Sequence, residues 1–126
     1  MLVALLAACA MDPAADGVSA VQFQDVVVPS GLRLRDDAHE SYSREEAGWR
    51  QGHFVYVGQT DASTAADYVR GRMPQHGWTK VQDEADGEGG FRLGFHRDVY
   101  RAAYSLRRGE GFTTMVVDYT TDYQRR

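Results

Sequence analysis

The sequence predicts an α+β fold, a two-layer sandwich in which one main helix lies across one face of a mostly antiparallel sheet. Three observations lead to this fold class. Several short segments alternate apolar and polar residues, which is the pattern of strands that bury one face. A single segment carries apolar residues at helical spacing. Short turns join the last three strand segments, so these strands should form an antiparallel meander.

Length and composition narrow the classes of protein to consider. The 126 residues suffice for one domain with a hydrophobic core. The formal net charge is -4, which argues against a nucleic-acid-binding protein. Cys9 is the only cysteine, so an internal disulfide and a cysteine-based zinc cage are excluded. No apolar run reaches the roughly 20 residues of a membrane-spanning helix.

The chain opens with an apolar run that stops at Cys9. Residues 2–8 are too few to span a bilayer, but they suit the apolar core of a secretion signal. The segment Leu6-Ala7-Ala8-Cys9 resembles the lipobox of bacterial lipoproteins. That resemblance implies that residues 1–8 are a signal peptide removed by signal peptidase II. It also implies that Cys9 then carries a diacylglyceryl group and an amide-linked acyl chain such as palmitate.

The same resemblance implies where the protein resides. Several acyl chains, each contributing about 0.8 kcal/mol per buried CH₂, would attach the chain almost permanently to a membrane. The residue after the cysteine is Ala10 and not an aspartate. In this respect the sequence resembles Gram-negative lipoproteins that are sorted to the outer membrane and face the periplasm. Lipoprotein signals normally begin with Lys or Arg, which Met1-Leu2-Val3 lacks. We therefore expect the natural start codon to lie upstream of Met1.

Residues 10–20 are small and polar and include Pro13 and Gly17. This composition predicts a flexible tether with a reach of very roughly 20 Å. We therefore expect lipidated Cys9 and the tether to precede a single α+β domain over residues 21–122.

Two strands and a charged segment that fits an edge strand come before the helix. Residues 21–34 contain an apolar run broken by a proline and a glycine, which predicts an entry strand or an extended lead-in. The edge strand is expected around residues 40–44. The segment GWRQG, residues 48–52, predicts a turn, and the β-branched and aromatic residues at 53–60 predict a strand.

The clearest helix pattern covers residues 61–78. Asp61 or Ser63 can cap its first turn by accepting a hydrogen bond from an unpaired backbone N–H. One face of this helix should be apolar, because small or apolar residues recur every four positions at Ala65, Val69 and Met73.

The end of the helix is also marked in the sequence. Pro74 disfavours helical continuation, and Gly77 can adopt the left-handed conformation that ends a helix. Trp78 follows at once, and we expect its ring to be buried at the joint between helix and sheet.

Four strand patterns follow the helix, separated by turn signals, at residues 79–84, 91–97, 99–108 and 112–121. In the second of them Phe91, Leu93 and Phe95 alternate with Arg92, Gly94 and His96, which indicates one buried face. The last residues, 123–126, are polar and are expected to fray.

The domain itself resembles small bacterial envelope lipoproteins that have no assigned activity. The shared features are VPSGL at residues 28–32, a helix ending in the Met-Pro-x-x-Gly-Trp segment at residues 73–78, and a closing run of hairpins. This resemblance implies the fold and the envelope location, and it implies no activity.

Catalytic and metal-binding patterns are weak. The histidines, at 39, 53, 76 and 96, include no pair at zinc-site spacing, although His53 and His96 could meet on adjacent strands. No serine lies in a Gly-x-Ser-x-Gly elbow. GEGG and GEG are expected to form hairpin turns rather than phosphate cradles, because no helix follows them. Glu45-Glu46 and Asp83-Glu84 are expected to be solvated charges. We therefore predict no catalytic residue, cofactor or metal site.

A binding surface is the stronger expectation. One helix can cover only one face of the sheet, so Arg92 and His96 should lie on an open face rich in Tyr, Arg and His. Such side chains bind partners at low ordering cost. A half-solvated sheet without any partner is an equally plausible interpretation.

These observations favour a lipid-anchored cell-envelope protein that acts as a non-enzymatic binding or structural module. Its partner would be the membrane, through the anchor, together with an envelope protein or a cell-wall component. Two alternatives remain: a small periplasmic enzyme or metal-binding domain built on His53 and His96, or a cytosolic accessory domain if the N-terminus is not a signal.

Overall fold

The computed structural model describes residues 23–35 and 40–123, which cover most of the predicted domain. The predicted signal peptide, Cys9, the tether and His39 lie outside the described residues, as do residues 124–126 of the predicted tail.

In the described part of the chain, the architecture is one antiparallel sheet with one helix. The strands are β1 (Leu32–Leu34), β2 (Tyr42–Glu46), β3 (Trp49–Gly58), β4 (Thr79–Ala85), β5 (Phe91–Arg97), β6 (Tyr100–Arg108) and β7 (Thr113–Thr121). The helix α1 (Ala62–Arg72) continues into a 3-10 turn (Met73–His76). The predicted mostly antiparallel sheet with a single main helix is confirmed.

The strand order is β1-β3-β7-β6-β5-β4, and β2 pairs with β3 beside β1. The last four strands are joined in sequence by hairpins, which confirms the predicted meander. The meander closes onto the first part of the chain because β3 pairs with β7 over seven residue pairs. The outer strand β4 is exposed along its whole length, and its register shifts at a bulge between Lys80 and Gln82.

The helix begins and ends where the sequence predicts. The Asp61 carboxylate accepts a hydrogen bond from the Thr64 backbone N–H at 3.2 Å, so Asp61 is the N-cap. Gly77 ends the 3-10 turn with a φ of 89°, a conformation that glycine adopts without a steric penalty. The predicted apolar face is confirmed, since three of its members are fully buried: Ala65, Val69 and Met73.

The core lies between α1 and the sheet. The helix packs against β5 and β6, and the side chains that face it are buried, among them Phe54, Leu93, Phe95, Tyr104, Leu106, Met115 and Val117. Trp78 is 3% exposed and belongs to this core, as predicted.

One local prediction is wrong. Residues 48–52 are not a turn: the turn is formed by Ala47 and Gly48, both with positive φ, and β3 begins at Trp49. The pairing of this segment with β2 and β7 outweighs its two glycines. Of the two alternatives for residues 21–34, the described part is a lead-in that ends in a short strand, because only Leu32–Leu34 pairs with β3.

Candidate binding surface

The sheet has two unlike faces because α1 covers only one of them. Along β5, Leu93 and Phe95 are buried towards the helix, so the alternate residues Arg92 and His96 point away from it. The same alternation holds along β6 and β7, and along β3 except at Val55, which points away from α1 but is only 4% exposed. We call the side facing away from α1 the open face. Its charged and histidine members on the strands are Arg33, Arg44, Glu46, His53, Glu84, Arg92, His96, Arg101, Arg107 and Asp118. Its other polar members are Gln51, Thr79, Gln82, Ser105, Thr114 and Thr120.

The structure therefore places both residues of the predicted binding surface on the open face. Arg92 is exposed and lies opposite Ser105 of β6. His96 is partly buried and lies opposite Arg101. Its Nδ1 atom is buried and has no hydrogen-bond partner. Their role in binding remains a prediction.

Small residues form the floor between these two positions. Ala103 lies opposite Gly94, midway along the two central strands of the meander. A Cβ atom at Gly94 would approach the Gln82 side chain to 3.1 Å, so the Gln82 side chain and the neighbouring Val81 occupy the space above the glycine. Arg101 and His96 lie at one end of these two strands and Arg92 lies towards the other, with exposed Ala103 between them.

Arginine predominates among the charged side chains of the open face. The arginines are Arg33, Arg35, Arg44, Arg92, Arg101 and Arg107, and the described acidic residues on or beside the face are Glu40, Glu46, Glu84, Asp86 and Asp118. Glu40 pairs with Arg35, and Asp118 pairs with His53. Among the described residues, this face therefore carries one more arginine than acidic residue, on a chain whose formal net charge is -4.

A cavity of about 320 Å³ lies at the β1 edge of this face. Arg33, Arg35, Val57 and Phe112 supply its side-chain walls. Two hydrogen bonds, of 2.8 and 2.9 Å, hold the Arg35 guanidinium against the Glu40 carboxylate, while Phe112 is 43% exposed. The cavity therefore combines cationic and apolar groups at the border of the open face.

The expectation that His53 and His96 could meet is wrong. Strands β7 and β6 lie between β3 and β5, which separates the two backbones by roughly 14 Å at the usual strand spacing. The His53 ring instead bonds Asp118 across β3 and β7, with Nδ1 and Oδ1 2.6 Å apart, and stacks on Tyr42 at 5.9 Å between ring centroids. No group of three metal-ligating side chains occurs among residues 23–35 and 40–123.

The glycine-rich turn at residues 86–90 and the carboxylates Glu45 and Asp83 have roles in the fold. Residues 86–90 form a hairpin turn in which the Asp86 carboxylate accepts hydrogen bonds from the backbone N–H groups of Glu88 and Gly90. These bonds lower the pKa of Asp86. Glu45 binds Arg50, and Asp83 binds Arg70 and Lys80. These carboxylates act as hydrogen-bond and ion-pair partners in the fold.

One polar cluster was not predicted from the sequence. On the helix side of the sheet, the Asp25 Oδ2 atom meets two guanidinium groups, those of Arg97 and Arg50, and accepts a hydrogen bond from the Tyr119 hydroxyl at 2.9 Å. The Asp25 side chain is 14% exposed. We call these four residues the Asp25 cluster.

Aromatic rings enclose the Asp25 cluster. The Arg50 guanidinium lies 5.3 Å from the Phe23 ring centroid and 5.0 Å from that of Tyr100, and Arg97 lies 5.0 Å from that of Trp78. Burial raises the pKa of Tyr119 well above its usual range, so its hydroxyl stays protonated and can donate to Asp25. The cluster fixes the lead-in segment to the sheet, and the Trp78 indole adds a 3.0 Å bond to the Asp25 carbonyl.

Comparisons with known proteins indicate no function for this chain. No protein-family model, curated protein or solved structure matches the chain. Within the described residues, no helix has the length and apolar character needed to cross a membrane.

Proposed function

We propose that this protein is a lipid-anchored cell-envelope protein whose domain is a non-enzymatic binding module. In this proposal the domain is a two-layer sandwich, attached through Cys9 and the tether, and it binds an envelope component through its open face. The observation that carries the proposal is the open face itself, which is uncovered by α1 and rich in arginine. Arginine and aromatic side chains dominate the energetics of many interfaces.

Two further observations support this proposal over the alternatives. The Leu6-Ala7-Ala8-Cys9 segment has the lipobox pattern, which favours export over a cytosolic location. The side chains on which an enzyme or metal site would have to rely are separated in the sheet, His53 on β3 and His96 on β5. A catalytic centre needs titratable groups that converge on one reacting atom.

The anchor can be tested by replacing Cys9 with alanine in the full chain. We expect wild-type protein to remain with membranes after a high-salt wash and to enter solution with detergent. Mass spectrometry should find an acylated cysteine at its N-terminus, and globomycin should block that processing. Cys9→Ala should carry no acyl group and should keep residues 1–8 or be released into solution. A membrane-bound wild type whose mature N-terminus is not an acylated Cys9 would contradict the anchor.

The binding face can be tested with the mature chain, residues 9–126, kept unlipidated by Cys9→Ala and added to isolated cell envelopes. The variant Arg92→Glu with His96→Glu should lose most of its sedimentation with the envelopes. The pair Arg72→Glu with His76→Glu is a matched control, since it makes the same substitutions at exposed positions of α1 and its 3-10 turn. We expect the control to bind like the parent. Equal binding by all three proteins would show that the open face is not the binding site.

A further inference from the structure

Three of the four large exposed apolar side chains in the described part of the domain lie on or beside the face that carries these arginines. Four large hydrophobic side chains are exposed among the described residues: Tyr42, Val81, Phe112 and Tyr123. Tyr42 stacks on His53 of the open face, and Phe112 lines the cavity with Arg33 and Val57.

Val81 completes this arrangement on the opposite edge of the sheet. Its Cγ2 atom lies 3.6 Å from the position that a Cβ atom of Gly94 would take on the open face. Tyr42 projects from β2, Phe112 precedes β7 and Val81 lies in β4, so the three apolar groups are at separate borders of the face. The arginines of β5 and β6 lie between them, at Arg92, Arg101 and Arg107.

We propose that the open face docks on a bilayer surface rich in anionic phospholipid. Guanidinium groups bind phosphate oxygens with strong, directional hydrogen bonds. The exposed apolar groups at the borders can enter the boundary between headgroups and acyl chains, where amphipathic surfaces bind. Ala103 at the centre of the face is exposed and small, so it does not hold a flat surface away from the neighbouring arginines of β5 and β6.

The charge distribution favours this partner over a neutral one. The chain as a whole is acidic, so attraction to an anionic bilayer must come from a local surface rather than from net charge. The open face supplies that surface, and each basic residue near an anionic leaflet strengthens binding appreciably. This inference rests on the proposed function, because it names what the open face binds.

The two tryptophans provide a direct probe of docking. Trp49 belongs to the open face and is partly exposed, with the Arg44 guanidinium 6.0 Å from its ring centroid. Trp78 is buried on the helix side. A fluorescence change on vesicle binding should therefore come from Trp49, and Trp49→Phe should abolish it while leaving sedimentation nearly intact.

The test uses the mature chain, residues 9–126, kept unlipidated by Cys9→Ala. The vesicles are of phosphatidylcholine alone, or of equal parts phosphatidylcholine and phosphatidylglycerol. We expect binding to the anionic vesicles only, a blue shift of Trp49 emission and loss of binding at high salt. Arg101→Glu removes one attraction and adds a repulsion, so it should lower the partition coefficient roughly tenfold. Arg72→Glu, on the helix side, should leave it within about twofold.

Two results would overturn the inference. If the chain binds envelopes in the preceding test but binds neither vesicle, the open face recognises another envelope component, and the proposed function stands without this partner. If soluble polyglutamate competes fully with the anionic vesicles and Trp49 emission never shifts, the face binds polyanions in general rather than a lipid surface. If the anchor test fails while the vesicles bind, only the anchor is wrong.

Discussion

Asp25 shows how a single side chain can organise distant parts of this chain. Its carboxylate pairs with Arg50 of β3 and Arg97 of β5, and it accepts a hydrogen bond from Tyr119 of β7. Burial alone would lower the pKa of Arg50, but its hydrogen bonds to Tyr119 and Glu45 outweigh that effect and raise it. The Arg50 guanidinium therefore stays charged, with its Nη1 atom 3.5 Å from the Asp25 Oδ2 atom.

Replacing Asp25 with asparagine should destabilise the domain by about 1–3 kcal/mol, because two partly buried guanidinium groups lose their common counter-ion. The expected loss of stability is modest because both arginines are about a third exposed, so solvent screens their interactions with Asp25. Urea denaturation measures the change. Asp67→Asn, at an exposed ion pair of α1, should cost less than about 0.5 kcal/mol. Equal losses of unfolding free energy in the two variants would show that the Asp25 cluster stabilises the domain no more than an exposed ion pair does.

Trp78 is the second residue that joins separate elements. It is 3% exposed, packs edge-on against Tyr119 and donates its indole N–H to the Asp25 carbonyl. Trp78→Ala should lower the free energy of unfolding by about 3–5 kcal/mol. Trp49→Ala, on the open face, should reduce stability clearly less than Trp78→Ala. Thermal denaturation of both variants measures which loses more. An unchanged melting temperature in Trp78→Ala would mean that the ring is not part of the core.

At the scale of elements, ion pairs link the one helix to the outermost strand. The Asp83 carboxylate on β4 accepts hydrogen bonds from the Arg70 side chain of α1 at 2.9 Å and from Lys80 at 2.7 Å. Arg70 also lies 5.5 Å from the Phe91 ring centroid on β5. These contacts connect α1 with β4, a strand that is exposed along its whole length.

The link between α1 and β4 should respond to acid. The hydrogen bond from Arg70, followed by that from Lys80, lowers the pKa of Asp83. Its stabilising contribution is therefore complete above the unfolded-state pKa of about 3.9 and is lost as the pH falls through the lower folded-state value. We expect the urea midpoint of Asp83→Asn to fall less between neutral and acidic pH than that of wild type. Parallel pH profiles for the two proteins would refute this role.

The elements that the sequence predicts well are those whose pattern is local. The alternation around Leu93 and Phe95 predicted β5 with its observed bounds, and Asp61 with Gly77 marked both ends of the helical segment. Pairing between strands decides the rest. β3 begins at Trp49 because this residue lies opposite Glu46 of β2 in a tight hairpin, and β7 pairs with β3 only from Gly52 onward.

In the candidate site too, only the features that follow from a local pattern could be predicted from the sequence. The positions of Arg92 and His96 on the open face follow from alternation within one strand. The Asp25 cluster brings together residues that are up to 94 positions apart in the chain, so it exists only once strand order and register are known. The supposed meeting of His53 and His96 failed for the same reason, since two strands lie between them.

For the whole molecule, stability should be greatest at the centre of the sheet. Strands β7 and β6 have partners on both sides, and their inward side chains, such as Leu106, Met115 and Val117, are fully buried. Backbone amides of these two strands should exchange with solvent only on global unfolding, whereas amides of β4 should exchange through local opening. Hydrogen exchange followed by NMR measures both. Protection in β4 equal to that in β7 would show that the sheet opens only as a unit.

The exposed strand β4 also bears on how neighbouring copies can coexist. A long straight edge strand is a template for pairing with another chain and hence for aggregation. The bulge between Lys80 and Gln82 bends this edge, and charged side chains at Lys80, Asp83 and Glu84 line it. The other edge is divided between β1, with three residues, and β2, with five that include Arg44, Glu45 and Glu46. Under the proposed lipid anchor, copies crowded on one membrane would therefore meet without extending each other's sheets.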